Sequence, residues 1–120
     1  MGEYNDLGKR GEELAAEYLA GKGYIIMEMN WRYGREEIDI IARDKNMVVF
    51  AEVKTRSGSF IRAPEYAVNR RKQQFLIHAA NAYLQAKRID LEARFDIVCV
   101  IIRGHTSEVG HIEEAFNPVC

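Results

Sequence analysis

The stretch Glu36–Arg56, "EEIDIIARDKNMVVFAEVKTR", reads as two β-strands, Glu36–Asp44 and Met47–Arg56, joined at Lys45-Asn46. Asn tolerates the tight turn that such a hairpin needs. Its runs of Ile, Val and Phe belong in a core, yet Asp39, Glu52 and Lys54 interrupt them. The register follows from the turn. With two turn residues, Asp44 faces Met47 and paired residue numbers sum to 91, so Asp39 stands opposite Glu52. Opposed side chains project from one face with Cβ atoms roughly 4.5–5.5 Å apart, and Lys54, two residues beyond Glu52, shares that face. A one-residue change in the turn would move Asp39 to the other face.

Two opposed carboxylates in a half-buried setting repel, and removing them from water is costly. Something positive belongs between them. Lys54 supplies part of it, and a hard divalent cation with oxygen ligands, Mg²⁺ or Mn²⁺, suits the rest. A strand-face Glu/Lys pair of this spacing also occurs as a surface ion pair worth little. Asp39 fits that second description poorly, because both its neighbours are Ile.

Helical spacing recurs in "LGKRGEELAAEYLAGKGY", with a stripe centred on Gly11, Ala15 and Tyr18 and a stop at Gly21 or Gly23. Glu12 lies at the edge of that stripe, while Glu13 and Glu17 fall on the far side. Glu12 is therefore the one acid of this helix that can reach inward, either as a third carboxylate or as an ordinary boundary residue. "YIIMEMNWR" reads as a strand and "SGSFIRAP" as a loop. Asn69 is a good N-cap for the helix "RRKQQFLIHAANAYLQAKR", whose stripe is Phe75, Leu76, Ala79, Ala80, Tyr83 and Leu84, with His78 as a structural residue on it. "ARFDIVCVII" is a buried strand and "HIEEAF" a short final one. The order α-β-β-β-α-β-β packs as a mixed sheet flanked by helices, and 120 residues suit one domain, 1–120.

The apolar runs fall well short of the roughly 18 residues that span a membrane, and the polar N-terminus has no apolar signal core. Cys99 reads as a small core residue and terminal Cys120 as solvated; the two suggest neither a disulfide framework nor a metal pair. A cytoplasmic location is expected. Net charge is −1, but Lys54, Arg56, Arg62, Arg70, Arg71 and Lys72 stand against Glu65 alone, so Lys54–Lys72 carries +5 and the remainder −6. This is either a solvated loop and helix end or an anion-binding face for phosphates.

The collinear set "GKRGEELAAEYLAGKGY", "NWRYGREEIDIIARD", "VVFAEVKTR", "AVNRRKQQ", "AANAYL", "RFDIV" and "HIEEAF", from Gly8 to Phe116, resembles the bacterial YraN family. That family is similar to archaeal Holliday junction resolvases of the PD-(D/E)xK, restriction-endonuclease-like superfamily. The resemblance implies an α/β fold with an αβββαβ core. It implies that Asp39, Glu52 and Lys54 fill a metal-dependent nuclease motif, and that Glu12 matches the first-helix carboxylate of resolvase-like members. The chain departs from the family at Glu36, where a Gly is usual.

The expected activity is phosphodiester hydrolysis in structured or branched DNA. Asp39, Glu52, the Val53 carbonyl and Glu12 would hold Mg²⁺ or Mn²⁺, and Lys54 would orient water or steady developing charge. Arg70, Arg71 and Lys72 occupy the first turn of a helix, where cations oppose the dipole, and a docked phosphate would resolve the conflict. Lys72 matches the family's helix Lys; Arg32, Arg35 and Arg56 are weaker candidates for backbone contacts. Trp31 suits either base stacking or packing against a sheet edge or partner. His111 matches the family's final strand and is assigned no chemistry. By analogy with resolvases the chain would be a homodimer. A nucleic-acid-binding protein with little catalysis, or a protein-interaction factor, remains open; the near-neutral charge suits the latter, and the intact carboxylate set suits the nuclease.

Overall fold

The structure is a computed structural model that describes residues 3–58 and 68–117, with side chains from Asp6 onward. Its elements are α1 (Glu3–Gly21), β1 (Ile25–Tyr33), β2 (Glu36–Asp44), β3 (Met47–Ser57), α2 (Arg70–Ala86), β4 (Glu92–Arg103) and β5 (Thr106–Ile112). They form an α/β fold with one five-stranded sheet in the order β1-β2-β3-β4-β5. The pair β3–β4 is parallel and the other neighbours are antiparallel. A parallel pair needs a crossover, and α2 lies in the one between β3 and β4.

Apolar periodicity explains the layers. Ala15 and Leu19 of α1 are buried with Ile40, Ala42, Val49, Ala51, Val98 and Val100 on one face of the sheet. Leu76, Ala79, Ala80 and Tyr83 of α2 are buried with Ile38, Ile41, Val48, Phe50, Phe95 and Ile97 on the other. Central strands covered on both faces read as continuous apolar runs, as β4 does. Phe50 stacks on Phe95 at 5.8 Å and meets Tyr83 edge-on at 6.1 Å, which ties α2 to the centre of the sheet. Asn69 caps α2, its Oδ1 accepting the Lys72 N–H at 2.8 Å.

The hairpin register is the expected one: Asp44 pairs with Met47, and the ladder runs in step to Ile40 and Ala51. The positive φ of the turn falls on Lys45 (58°) rather than on Asn46. Two expectations need correction. The last strand is Thr106–Ile112, not "HIEEAF", because Gly104-His105 makes the turn back along β4. Beyond Ile112 the Glu114 N–H donates to Asp96 and the Ala115 N–H to the Phe95 carbonyl, which lays Phe116 on Phe95 and ends the strand. His78 is exposed, on the outer face of α2. Parts of "SGSFIRAP", with Arg62, and Cys120 lie outside the described residues.

One polar network went unread in the sequence. Arg94 is 7% exposed and Asp96 1%, on the α1 face of β4. Arg94 donates through Nε and Nη2 to the two Asp96 oxygens, and also to Asp44 and the Tyr24 hydroxyl. His111 Nε2 lies 2.8 Å from Asp96 Oδ2, and Lys22 Nζ lies 2.9 Å from His111 Nδ1. A neutral imidazole protonated on Nε2 satisfies both contacts. Burial works to raise the Asp96 carboxyl, but hydrogen bonds from His111 and Arg94 outweigh it and hold it below the usual range.

Replacing Asp96 by Ala leaves Arg94 a buried cation with one strong partner fewer. We expect a loss of about 3–5 kcal/mol in urea unfolding; a loss below about 1 kcal/mol would mean that the network is dispensable.

Candidate functional site

The site forms where the sheet stops being regular. The β2–β3 ladder ends at Ile40–Ala51, one step short of Asp39. On the other side, β1 pairs Met29 with Ile40 and Trp31 with Ile38, and skips the position between them. Asp39 is thus a paired position in neither ladder. Alternation slips here too: Ile38 and Ile41 both join the α2-side core, and Ile40 the α1-side core. Beyond the end of the ladder, the Asp39 side chain reaches the β3 backbone in place of a ladder bond. Its Oδ2 accepts the Val53 N–H at 2.8 Å.

Asp39 does not face Glu52 across a regular ladder, as the register alone suggested, but the two carboxylates are neighbours that repel. Burial, then Glu52, then Glu12, push the Asp39 carboxyl up to about 7 against the pull of the Val53 N–H and Lys72. Asp39 therefore feels two other carboxylates, Glu52 on β3 more strongly and Glu12 on α1 less so. Glu12 is half-buried while Glu13 and Glu17 are exposed, as the helical stripe requires.

Two features place Glu12, and neither was read from the sequence. Gly11 is buried against β3, where an added Cβ would lie 2.7 Å from Thr55 Cγ2 and closer still to its Oγ1. A glycine is required for α1 to approach that closely. Asn30, at the skipped position of β1, has φ of 52° and donates from Nδ2 to Glu12 Oε1 at 3.0 Å. Asn is among the few residues that adopt this left-handed conformation without great cost. Strain of this kind collects at functional sites.

Glu52 completes the centre. Its Oε1 is buried and accepts no hydrogen bond among the described residues. Lys72 Nζ stands 3.7 Å away, within ion-pair range but beyond hydrogen-bond range. An ammonium from α2 is thus set against Glu52. Lys54, two residues beyond Glu52, is half-buried on β3, and its charge also acts on Cys99, its neighbour on β4.

The basic residues separate into groups. Lys72 also lies 3.6 Å from Glu36 Oε1, and Arg71 Nη1 donates to Glu36 Oε2 at 2.8 Å. Glu36, the residue that fits the family pattern least, therefore pairs with two of the three cations at the start of α2. Arg70 and Arg56 are exposed, and Arg56 donates to the Thr55 carbonyl. Arg32 pairs with Glu37 at 3.3 Å. Trp31 packs edge-on against Tyr83 at 5.1 Å, stacks on Tyr33 and joins the α2-side core, so packing takes its ring.

The donor set suits a hard divalent cation. Among the described residues no three His, Cys, Asp or Glu side chains converge into a ready-made cage. Mg²⁺ does not need one, since it commonly takes one or two carboxylates with water and substrate phosphate. Asp39 and Glu52 supply two oxygens-bearing groups, one with a buried oxygen that lacks a donor, and both are neighbours of a cation already. The Val53 carbonyl and Glu12 are the further oxygens at hand.

Two predictions follow from this geometry. Gly-to-Ala in a helix normally stabilises by about 1 kcal/mol; Gly11→Ala should instead cost about 1–3 kcal/mol in chemical denaturation, because Thr55 cannot retreat from the sheet. Adding Thr55→Gly should recover part of that loss. For Asp39, the folded carboxyl is raised from 3.8 to about 7, so the stability present below the unfolded value is lost as pH rises through the folded one. Asp39→Asn should therefore stabilise the metal-free protein by roughly 2–4 kcal/mol at pH 8, with the gain vanishing near pH 4. A gain independent of pH would contradict a raised Asp39.

Comparison with known sequences places this site within a family. Residues 11–100 match the family described as "Uncharacterised protein family UPF0102", a span that includes Glu12, Asp39, Glu52, Lys54 and Lys72. The chain is 46% identical over 116 residues to a UPF0102 protein of Flavobacterium psychrophilum, covering 97% of this chain and 98% of that one. It is 45% identical over 118 residues to one of Bacteroides thetaiotaomicron, covering 98% of each. It is 41% identical over 120 residues to one of Parabacteroides distasonis, covering 100% and 99%. The match extends over nearly the whole length, and the chain belongs to the UPF0102 (YraN) family.

Proposed function

We propose that this protein is a metal-dependent endonuclease that hydrolyses phosphodiester bonds in structured or branched DNA. The observation that carries the proposal is the buried Glu52 Oε1, without a hydrogen-bond donor, beside an Asp39 carboxyl raised to about 7. Two acids held in this state gain most from a divalent cation. Such a cation would polarise a phosphate and lower the pKa of a bound water. Asp39 and Glu52 would hold it, with the Val53 carbonyl and Glu12 supplying further oxygens. Asp39 is fixed for this by the Val53 N–H and Glu12 by Asn30. Lys54, two residues beyond Glu52, would steady charge developing on the phosphate oxygens. Lys72, Arg71 and Arg70 would guide the strand, with Arg56 and Arg32 as outlying backbone contacts.

A second reading has its own support. Lys72 already pairs with Glu52, so the centre carries a cation without metal. A nucleic-acid-binding protein of this fold with little catalysis would need no more.

The test is purified protein with four-way junction, flap, single-stranded and linear duplex DNA in Mg²⁺ or Mn²⁺. Cleavage should fall by roughly 10²-fold or more in Asp39→Ala, Glu52→Ala and Lys54→Ala. Cleavage that survives both Glu52→Ala and Lys54→Ala would contradict the mechanism, and salt-sensitive binding without cleavage would favour the second reading.

A further inference from the structure

Glu36 opens β2 and reaches α2 with both of its oxygens. Oε2 accepts from Arg71 Nη1 at 2.8 Å, and Oε1 lies 3.6 Å from Lys72 Nζ. Arg71 first, and Lys72 after it, hold the Glu36 carboxyl below its usual range. A carboxylate set against a guanidinium and an ammonium makes the same charge-assisted contacts that a phosphate oxygen would make. Lys72 is divided, with Glu36 at 3.6 Å and Glu52 at 3.7 Å, so its charge is committed inward. Among these contacts two acids, Glu36 and Glu52, stand against two bases, Arg71 and Lys72, and so weaken the pull of those two bases on an approaching anion.

The pair is also built to yield. The Arg71 side chain is 70% exposed and that of Glu36 32%, so water and salt screen their attraction. Lys72, at 21%, is the less exposed cation and the one that reaches the centre.

Resting on the nucleic-acid reading above, we infer that Glu36 is an internal competitor for the phosphate: its carboxylate holds Arg71 and Lys72 until a nucleic-acid phosphate displaces it, and so sets how tightly this protein binds its substrate. A phosphate that takes Arg71 and Lys72 breaks both Glu36 contacts, and the carboxylate turns to water. The cost of that exchange is subtracted from the affinity.

The experiment measures DNA binding without cleavage, in EDTA, across a range of salt. The proteins are the wild type, Glu36→Gln, Arg71→Ala, the double variant, and Glu17→Gln, which removes the same charge from the far side of α1. Glu36→Gln should bind about 3–10-fold more tightly at low salt, with a log–log salt slope steeper by up to about 0.9, as for one more phosphate contact. The gain should shrink in the Arg71→Ala background, and Glu17→Gln should match the wild type. Wild-type binding with no gain in Glu36→Gln would overturn the competitor role and leave the nucleic-acid reading standing. A gain equal to that of Glu17→Gln would reduce it to net charge and overturn it too. No binding by the wild type or by Glu36→Gln would instead overturn the nucleic-acid reading. Inorganic pyrophosphate, titrated against the NMR signals of the Arg71 side chain, then decides the remaining point. Response at lower concentration in Glu36→Gln supports a guarded anion site, and equal response in both proteins overturns it.

Discussion

The repulsion between Asp39 and Glu52 is the constraint around which the rest of the site is arranged. Neither acid is fully solvated, since both are half-buried in the sheet. The protein answers with groups that each relieve part of the conflict. The Val53 N–H binds Asp39, Lys72 approaches Glu52, and a raised Asp39 pKa lets a proton do what no fixed cation does. That combination is costly for stability alone. Apolar residues in the same two places would pack into the existing cores without it. The divalent cation proposed above would offset that cost.

The fold supplies the rigidity. Apolar layers on both faces hold the paired part of β2 and β3, and their ladder ends at Ile40–Ala51, just before Asp39. Gly11 lets α1 lie on Thr55, and the left-handed Asn30 turns its amide toward Glu12. These are small local departures from regular geometry, in a glycine and an asparagine, and they converge on one carboxylate. Elsewhere on the sheet, Arg94 and Asp96 tie β4 to the end of β5 at His111 and to Tyr24, so the sheet is anchored by charge on the α1 face as well as by packing.

Much of this was legible in residue order. The two-residue turn at Lys45-Asn46 put Asp39 beside Glu52, and the helical stripe selected Glu12 over Glu13 and Glu17. Both depend on fixed periods, of two for a strand and 3.6 for a helix. What escaped depends on contacts between distant segments. Nothing in "GREEID" tells that Glu36 meets Arg71, because the meeting is set by where α2 lands after the crossover. The same holds for the approach of Lys72 to Glu52, and for the Arg94–Asp96–His111 network. His78 misled because it sits among core-facing residues in order while pointing outward at helical pitch. Gly11 could have been noticed, as a glycine at the centre of an apolar stripe, where alanine is the better helix former.

The most direct test is the titration of the Asp39 side-chain carboxyl by carbon NMR, with and without Mg²⁺. The metal-free protein should show a midpoint near 7, shifted down in Glu52→Gln because the nearby negative charge is gone, and Mg²⁺ should lower the wild-type midpoint by more than one unit. A midpoint near 4 that responds to neither Glu52→Gln nor Mg²⁺ would contradict a strained carboxylate pair awaiting a cation.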